Sequence, residues 1–248
     1  MRRPIVAGNW KMHGSQAFVE EFAGAMTGLE DSVDVYVFPP SVYLSHAVAS
    51  FAATAVKVGV QNVHDLDQGA FTGEVAAQMA ADLRAVAALV GHSERRQLFG
   101  ETDVQVAGKF KAVQRAGMTP VLCVGETLEE RRRGATGEIV LGQVGAVLDA
   151  VGSERFAGGI VAYEPIWAIG TGETATPGQA QEVHALIRGF LADSDVEMAK
   201  SIRLLYGGSV KADNAAALFH ETDIDGGLVG GASLDSGAFL GICKAAGN

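Results

Sequence analysis

Glu164 stands in the run Ala162–Gly172, AYEPIWAIGTG, whose residue types suit a base beneath a movable cover. Pro165 locks its own φ and biases the residue before it toward extended backbone, so Glu164 is expected at a strand end with its side chain aimed by the main chain. Ile166, Trp167, Ala168 and Ile169 are apolar and can cover a site. Gly170 and Gly172 let a loop change φ/ψ cheaply, or bring a backbone amide close to an anion. The plainer reading of the same pattern is an ordinary strand exit.

Four other short segments carry polar residues directly after an apolar run. Asn9 and Lys11 follow Ile5-Val6-Ala7, and His92 and Glu94 follow Ala87–Val90. Gly207-Gly208-Ser209 follows Ile202–Tyr206, and Gly230-Gly231 follows Gly226–Val229. Each has a plain alternative: a solvated loop lysine, a satisfied rim histidine, simple glycine turns. Their coincidence at strand ends weakens those alternatives. Together they supply a carboxylate, an imidazole, an ammonium and amide-rich turns that could share one pocket.

Residues so far apart in sequence need a fold that gathers strand ends. The apolar runs Ile5–Ala7, Val33–Phe38, Val56–Val60, Ala87–Val90, Pro120–Val124, Gly159–Ala162, Ile202–Tyr206 and Gly226–Val229 alternate with helical patterns. In residues 103 to 117, Val106, Phe110 and Val113 recur at helix spacing, Thr102 and Gln105 form a capping box, and Gly117 stops the helix. Thr176 and Gln179, with Pro177 between them, start a second helix carrying Val183, Leu186, Ile187 and Phe190. His184 on that helix is expected to be partly buried and otherwise without a role. This rhythm predicts an α/β chain folded as a single (β/α)8 barrel, whose active site is built by the loops after the strands. Residues 1–248 are expected to form one catalytic domain.

Bulk properties narrow the partners. Lys and Arg number 19 against 29 Asp and Glu, a net charge of −10, so neither nucleic acid nor an anionic membrane is expected as a partner. An anionic substrate would need positive potential made locally, by a lysine or by backbone amides. Cys123 and Cys243 suggest no disulfide framework and are expected to be buried in a protein of a reducing compartment. Met1-Arg2-Arg3 and Pro4 lead into a short strand-like run with no signal-peptide core, and no segment reaches ~18 uncharged apolar residues. A cytoplasmic protein is expected. The six histidines show no metal-ligand spacing, so no metal site is expected.

Across essentially its whole length the chain resembles the triosephosphate isomerase family. The matching segments are AGNWKMH (7–13), QNVH (61–64), GAFTGE (69–74), VGHSERR (90–96), FGETD (99–103), VLCVGE (121–126), AYEPIWAIGTG (162–172), YGGSV (206–210) and GLVGGASL (227–234). The resemblance implies a TIM barrel that interconverts dihydroxyacetone phosphate and glyceraldehyde 3-phosphate in glycolysis and gluconeogenesis, without a cofactor. It assigns Asn9 and Lys11 as electrostatic partners of the substrate, His92 as electrophile and Glu164 as base. The phosphate falls to the amides of Gly170, Ser209, Gly230 and Gly231, with Ser93 and Glu94 in support. It also implies a neutral His92, kept so by the amides opening the Ser93-Glu94-Arg95 turn, and a homodimer made chiefly through Phe71-Thr72-Gly73-Glu74. Two departures stand out. Ala76-Ala77-Gln78 replaces the expected Ser-Pro or Ser-Ala, which bears on the tightness of the dimer, and Gly227 replaces a larger residue.

Two other classes are open to the same residues. Gly170-Thr171-Gly172-Glu173-Thr174-Ala175 matches the dinucleotide fingerprint, with Asp193 and Asp195 about 20 residues on. Pro165 and Trp167 interrupt the strand before it and Pro177 starts the helix late, which argues against a nicotinamide oxidoreductase. A catalytically silent barrel used as a scaffold is the second. It has no need of Asn9, Lys11, His92 and Glu164 together.

Overall fold

Leu89–Val90 and Val121–Val124 are apolar at consecutive positions, a pattern that demands burial on both faces of a sheet. In the computed structural model, which describes residues 2–29, 31–169 and 174–247, every such run becomes a short parallel strand. They are β1 (Ile5–Asn9), β2 (Asp34–Phe38), β3 (Lys57–Val58), β4 (Ala87–Val90), β5 (Thr119–Val124), β6 (Ile160–Tyr163), β7 (Arg203–Tyr206) and β8 (Gly226–Val229). Their order is β3-β2-β1-β8-β7-β6-β5-β4. The ends of this sheet meet where Val60 bridges Ala88 in parallel: Val60 N–H donates to Ala87 O and Leu89 N–H to Val60 O, both at 2.9 Å. The sheet is thereby joined into the expected (β/α)8 barrel.

Closure sets tight limits on side-chain size. Gly59, next to that seam, has no room for a Cβ, which would lie 2.4 Å from the Phe38 ring and 2.7 Å from Ala87 O. Alternate strand residues form two cores. Ile5, Ala7, Phe38, Leu89, Cys123 and Leu205 belong to a cluster inside the barrel. Val6, Val37, Val90, Leu122, Tyr163 and Tyr206 pack outward with the helices. Each large apolar side chain so buried contributes about 1.5–3 kcal/mol relative to exposure. Cys123 and Cys243 are buried free thiols, as expected.

The helices begin where the capping chemistry puts them. Thr102 and Gln105 form a complete capping box on Asp103–Arg115, which buries Val106, Phe110 and Val113. Thr176 and Gln179 do the same for Pro177–Ser194. Ala76, by contrast, starts the helix Ala77–Asp82 with no side-chain cap. At Gly227 the space of a larger side chain is taken by Phe219, whose ring would lie 3.2 Å from an added Cβ. None of the helices among the described residues is long and apolar enough to cross a membrane.

His184 corrects an expectation. It is fully rather than partly buried, because its face of the helix Pro177–Ser194 packs on the outer side of β6 and β7. The ring meets Tyr163 edge-on at 5.6 Å and Tyr206 at 6.3 Å, and its Nδ1 pairs with Ala180 O at 2.8 Å. Burial lowers its pKa despite that hydrogen bond. The unfolded chain therefore binds this proton more tightly, so the contribution of His184 is intact above about pH 6.5 and is lost as pH falls toward the folded pKa. Chemical denaturation should show stability declining with acid below about pH 6.5, with a shallower decline in His184→Gln. Equal slopes in the two proteins would show that another group carries the acid sensitivity.

Candidate active site

Glu164 leaves β6 as predicted. Its N–H donates to Val124 O at 2.7 Å, extending the β5–β6 ladder by one rung, and Pro165 follows with φ −67°. The chain then turns through a short 3-10 helix, Ile166–Ala168. With its backbone held, the carboxylate is only 2% exposed. Its Oε2 accepts from the Ser93 N–H at 2.9 Å, and its Oε1 lies 2.9 Å from His92 Nε2. Burial would raise the Glu164 pKa, but the bonds from His92 and Ser93, helped by the charge of Lys11, hold it below the ordinary carboxylate value. A carboxylate ionised at rest follows.

His92 reaches this position because it caps the helix Ser93–Phe99, its Nδ1 accepting from the Glu94 N–H at 3.3 Å. An acceptor role at Nδ1 places the ring proton of a neutral imidazole on Nε2, facing Glu164. Burial favours that neutral form, yet the adjacent Glu164 carboxylate outweighs it and raises the His92 pKa above the ordinary histidine value. Two influences thus oppose each other here: the turn amide supports the neutral ring, and the carboxylate favours the charged one.

Asn9 ends β1, and its Oδ1 accepts from the Lys11 N–H at 3.0 Å. Lys11 takes φ +50°, a conformation rare for a residue with a side chain. Its Nζ pairs with Glu94 Oε1 at 2.5 Å, so Glu94 touches both the helix cap and the cation. Gln61 supports this backbone, its Nε2 donating to Lys11 O and to Phe38 O, each at 2.8 Å. Within QNVH nothing local marks Gln61 for this part, because the left-handed turn it braces lies 50 residues away.

A cavity of about 420 Å³ opens over these groups and is lined by Asn9, Lys11, His92 and Glu164 together with Ser209, Gly230 and Gly231. Gly231 begins a short 3-10 helix, Gly231–Leu234, and the Lys11 Cε would lie 3.5 Å from a Cβ added at Gly230. The ammonium therefore sits beside the turn that follows β8. Lys211 and His13 also line the cavity; Lys211 lies one residue past YGGSV and His13 ends AGNWKMH, and nothing local marks either as facing the site. Gly170 lies outside the described residues, as do Thr171, Gly172 and Glu173 of the dinucleotide fingerprint. The helix after that fingerprint starts only at Pro177.

At the neighbouring strand exit, the fully buried carboxylate of Glu126 collects donors from β6, from the cover segment and from the helix Leu128–Arg132. Its Oε1 accepts from Tyr163 Oη at 3.0 Å, Trp167 Nε1 at 3.1 Å and Arg131 at 3.2 Å, and the Arg131 guanidinium lies 4.6 Å over the Trp167 ring. Glu126 appeared in the sequence only as the last letter of VLCVGE. A carboxylate, an imidazole and an ammonium around one cavity, with glycine turns able to receive an anion, can move a proton on carbon next to a carbonyl.

The comparisons with known proteins agree with this geometry. The family model for triosephosphate isomerase matches residues 4–246. A triosephosphate isomerase of Alcanivorax borkumensis is 57% identical over 99% of both chains. Those of Pseudomonas putida and Pseudomonas aeruginosa are 53% and 54% identical over the full length of both chains. With a barrel of the required topology, its polar residues at the strand exits, and likeness running from end to end, the chain belongs to the triosephosphate isomerase family.

Proposed function

We propose that this chain interconverts dihydroxyacetone phosphate and D-glyceraldehyde 3-phosphate by proton transfer through an enediolate, in glycolysis and gluconeogenesis, as one catalytic domain spanning residues 1–248. The observation that carries the reading is Glu164, a buried carboxylate held at 2.9 Å by both His92 and the Ser93 amide on the wall of a cavity that also holds Lys11. Removing a proton next to a carbonyl, holding the enediolate, and returning the proton to the neighbouring carbon needs one base for both carbons and fixed donors for oxygen. The chemistry asks for no metal or cofactor.

In this reading the substrate enters between Glu164 and His92. The carboxylate gives up its two hydrogen bonds and becomes more basic as the cover closes over it. His92 loses the neighbour that favoured its protonation and turns its Nε2–H to the substrate oxygen as a neutral donor, while Asn9 and Lys11 face the developing charge. The amides of Ser209, Gly230 and Gly231, with that of Gly170, take the phosphate, a handle whose binding energy can drive closure. Ser93 and Glu94 hold Glu164 and Lys11 in register.

We take the active form to be a cytoplasmic homodimer that engages neither nucleic acid nor membrane. Support for the dimer comes from apolar side chains left exposed near the site, Met12 at 94%, Leu98 at 74% and Phe99 at 67%, surface of the kind that marks an interaction site. A second cavity of about 350 Å³, lined in part by Asn9, Lys11, Met12 and Phe99, suits the Phe71-Thr72-Gly73 loop of a partner in an isologous pair.

A coupled assay with either triose phosphate tests the reading directly. Glu164→Gln should lose at least the ~10²–10⁴-fold typical of a positioned acid or base while still binding a phosphate analogue; near-normal turnover would end the assignment. Lys11→Met should weaken binding of an unreactive phosphate analogue and slow turnover, because it removes a cation from the cavity of a protein with net charge −10. Unchanged affinity would place Lys11 outside the substrate's field. Specific activity should fall on dilution as dimers part, and a fully active monomer by light scattering would refute the shared interface.

A further inference from the structure

Glu164 is only as well placed as the backbone beneath it. That backbone rests on Gly125, the residue after β5: a Cβ there would lie 1.8 Å from Glu164 O, so the two main chains are in direct contact. On either side of Gly125 the exit of β5 is bonded to the exit of β6. Glu164 N–H donates to Val124 O at 2.7 Å, and Ile166 N–H donates to Glu126 O at 3.2 Å. Gly125 itself, one residue out of phase, turns its own N–H and C=O the other way, toward β4. There the sheet has ended, since β4 stops at Val90, paired with Leu122. Left alone, both groups of Gly125 would lack a partner in the protein.

Gln143 supplies that partner. Its Oε1 accepts from the Gly125 N–H at 2.8 Å, and its Nε2 donates to Gly125 O at 3.2 Å. One side-chain amide thus meets both groups, presenting on one side the acceptor and the donor that a neighbouring strand would supply from two successive peptides. The support is stiff at its far end too, because the helix Thr136–Val151 that carries Gln143 is anchored by buried Val140, Val144 and Val147.

We propose that Gln143 is a positioning residue for Glu164: its carboxamide completes the sheet edge at Gly125 and thereby fixes the height at which the carboxylate meets the substrate carbon. The inference rests on the isomerase reading of Glu164 given above. Gln143 does not line the substrate cavity and acts only through Gly125. Proton transfer is sensitive to displacements well under 1 Å, so a loosened Gly125 slows chemistry without loosening the phosphate, whose proposed holders Ser209, Gly230 and Gly231 lie at the exits of β7 and β8.

Gln143→Met, which keeps the length and removes both hydrogen bonds, should lower kcat about tenfold with KM within about twofold of the parent. It should also raise the deuterium isotope effect on kcat for substrate labelled at the abstracted proton, since the carbon step then limits turnover. Gln143→Glu, which retains the acceptor for the Gly125 N–H and loses the donor, should fall between Gln143→Met and the parent. A folded Gln143→Met with kcat within about twofold of the parent, or a loss appearing in KM with an unchanged isotope effect, would overturn the proposal. If Gln143→Met does not fold, Gln143→Glu decides by the same two readouts. An inactive parent in this assay would overturn the isomerase reading itself, and the positioning role with it.

Discussion

A carboxylate taken out of water must find hydrogen-bond donors at once, and the arrangement around Glu164 answers that requirement. Its 2% exposure would make it a poor anion if it were unpartnered. His92 Nε2 and the Ser93 N–H, both at 2.9 Å, keep it ionised, and both come from the same turn at the exit of β4. One turn therefore supplies the resting partners of the carboxylate and, in the proposed reaction, the donor that faces the substrate once they part. In that proposal the bond that stabilises the resting site is the bond that the substrate displaces.

The same economy runs through the charges. A chain with net charge −10 repels an anionic substrate at long range, so attraction has to be local. In the proposed reading Lys11 provides it, held beside the turn after β8 by a strained φ of +50°, by its pairing with Glu94, and by Gln61 beneath its carbonyl. Glu94 at once anchors the lysine and lends its N–H to His92 Nδ1. A change in any of these residues moves the others, because they share partners rather than occupying separate contacts.

None of this would converge without closure of the sheet. Val60 and Ala88 join its two edges, and only then do the exits of β1, β4, β6, β7 and β8 ring one cavity. Closure also leaves loose ends, since strands of unequal length leave backbone groups beyond the last rung. Gln143 at Gly125 and Gln61 at Lys11 are side-chain amides placed on such groups.

The strand and helix pattern, both capping boxes, the buried cysteines and the placement of Asn9, Lys11, His92 and Glu164 after strands were legible in the sequence, because each depends on neighbours a few residues away. Pro165 directs Glu164 by a local steric rule, and Thr102 meets Gln105 within one helical turn. The contacts that give those residues their properties were not legible. Nothing local distinguishes a half-buried from a fully buried His184; its depth depends on how the helix lies across Tyr163 and Tyr206. The opposing pulls on His92, the strained backbone of Lys11, and the parts played by Gln61, Glu126 and Gln143 arise between segments tens of residues apart. Local preference selects each element and its polar tip, whereas the distance between a carboxylate and an imidazole is set only when the barrel closes and packing allows one arrangement of its rim.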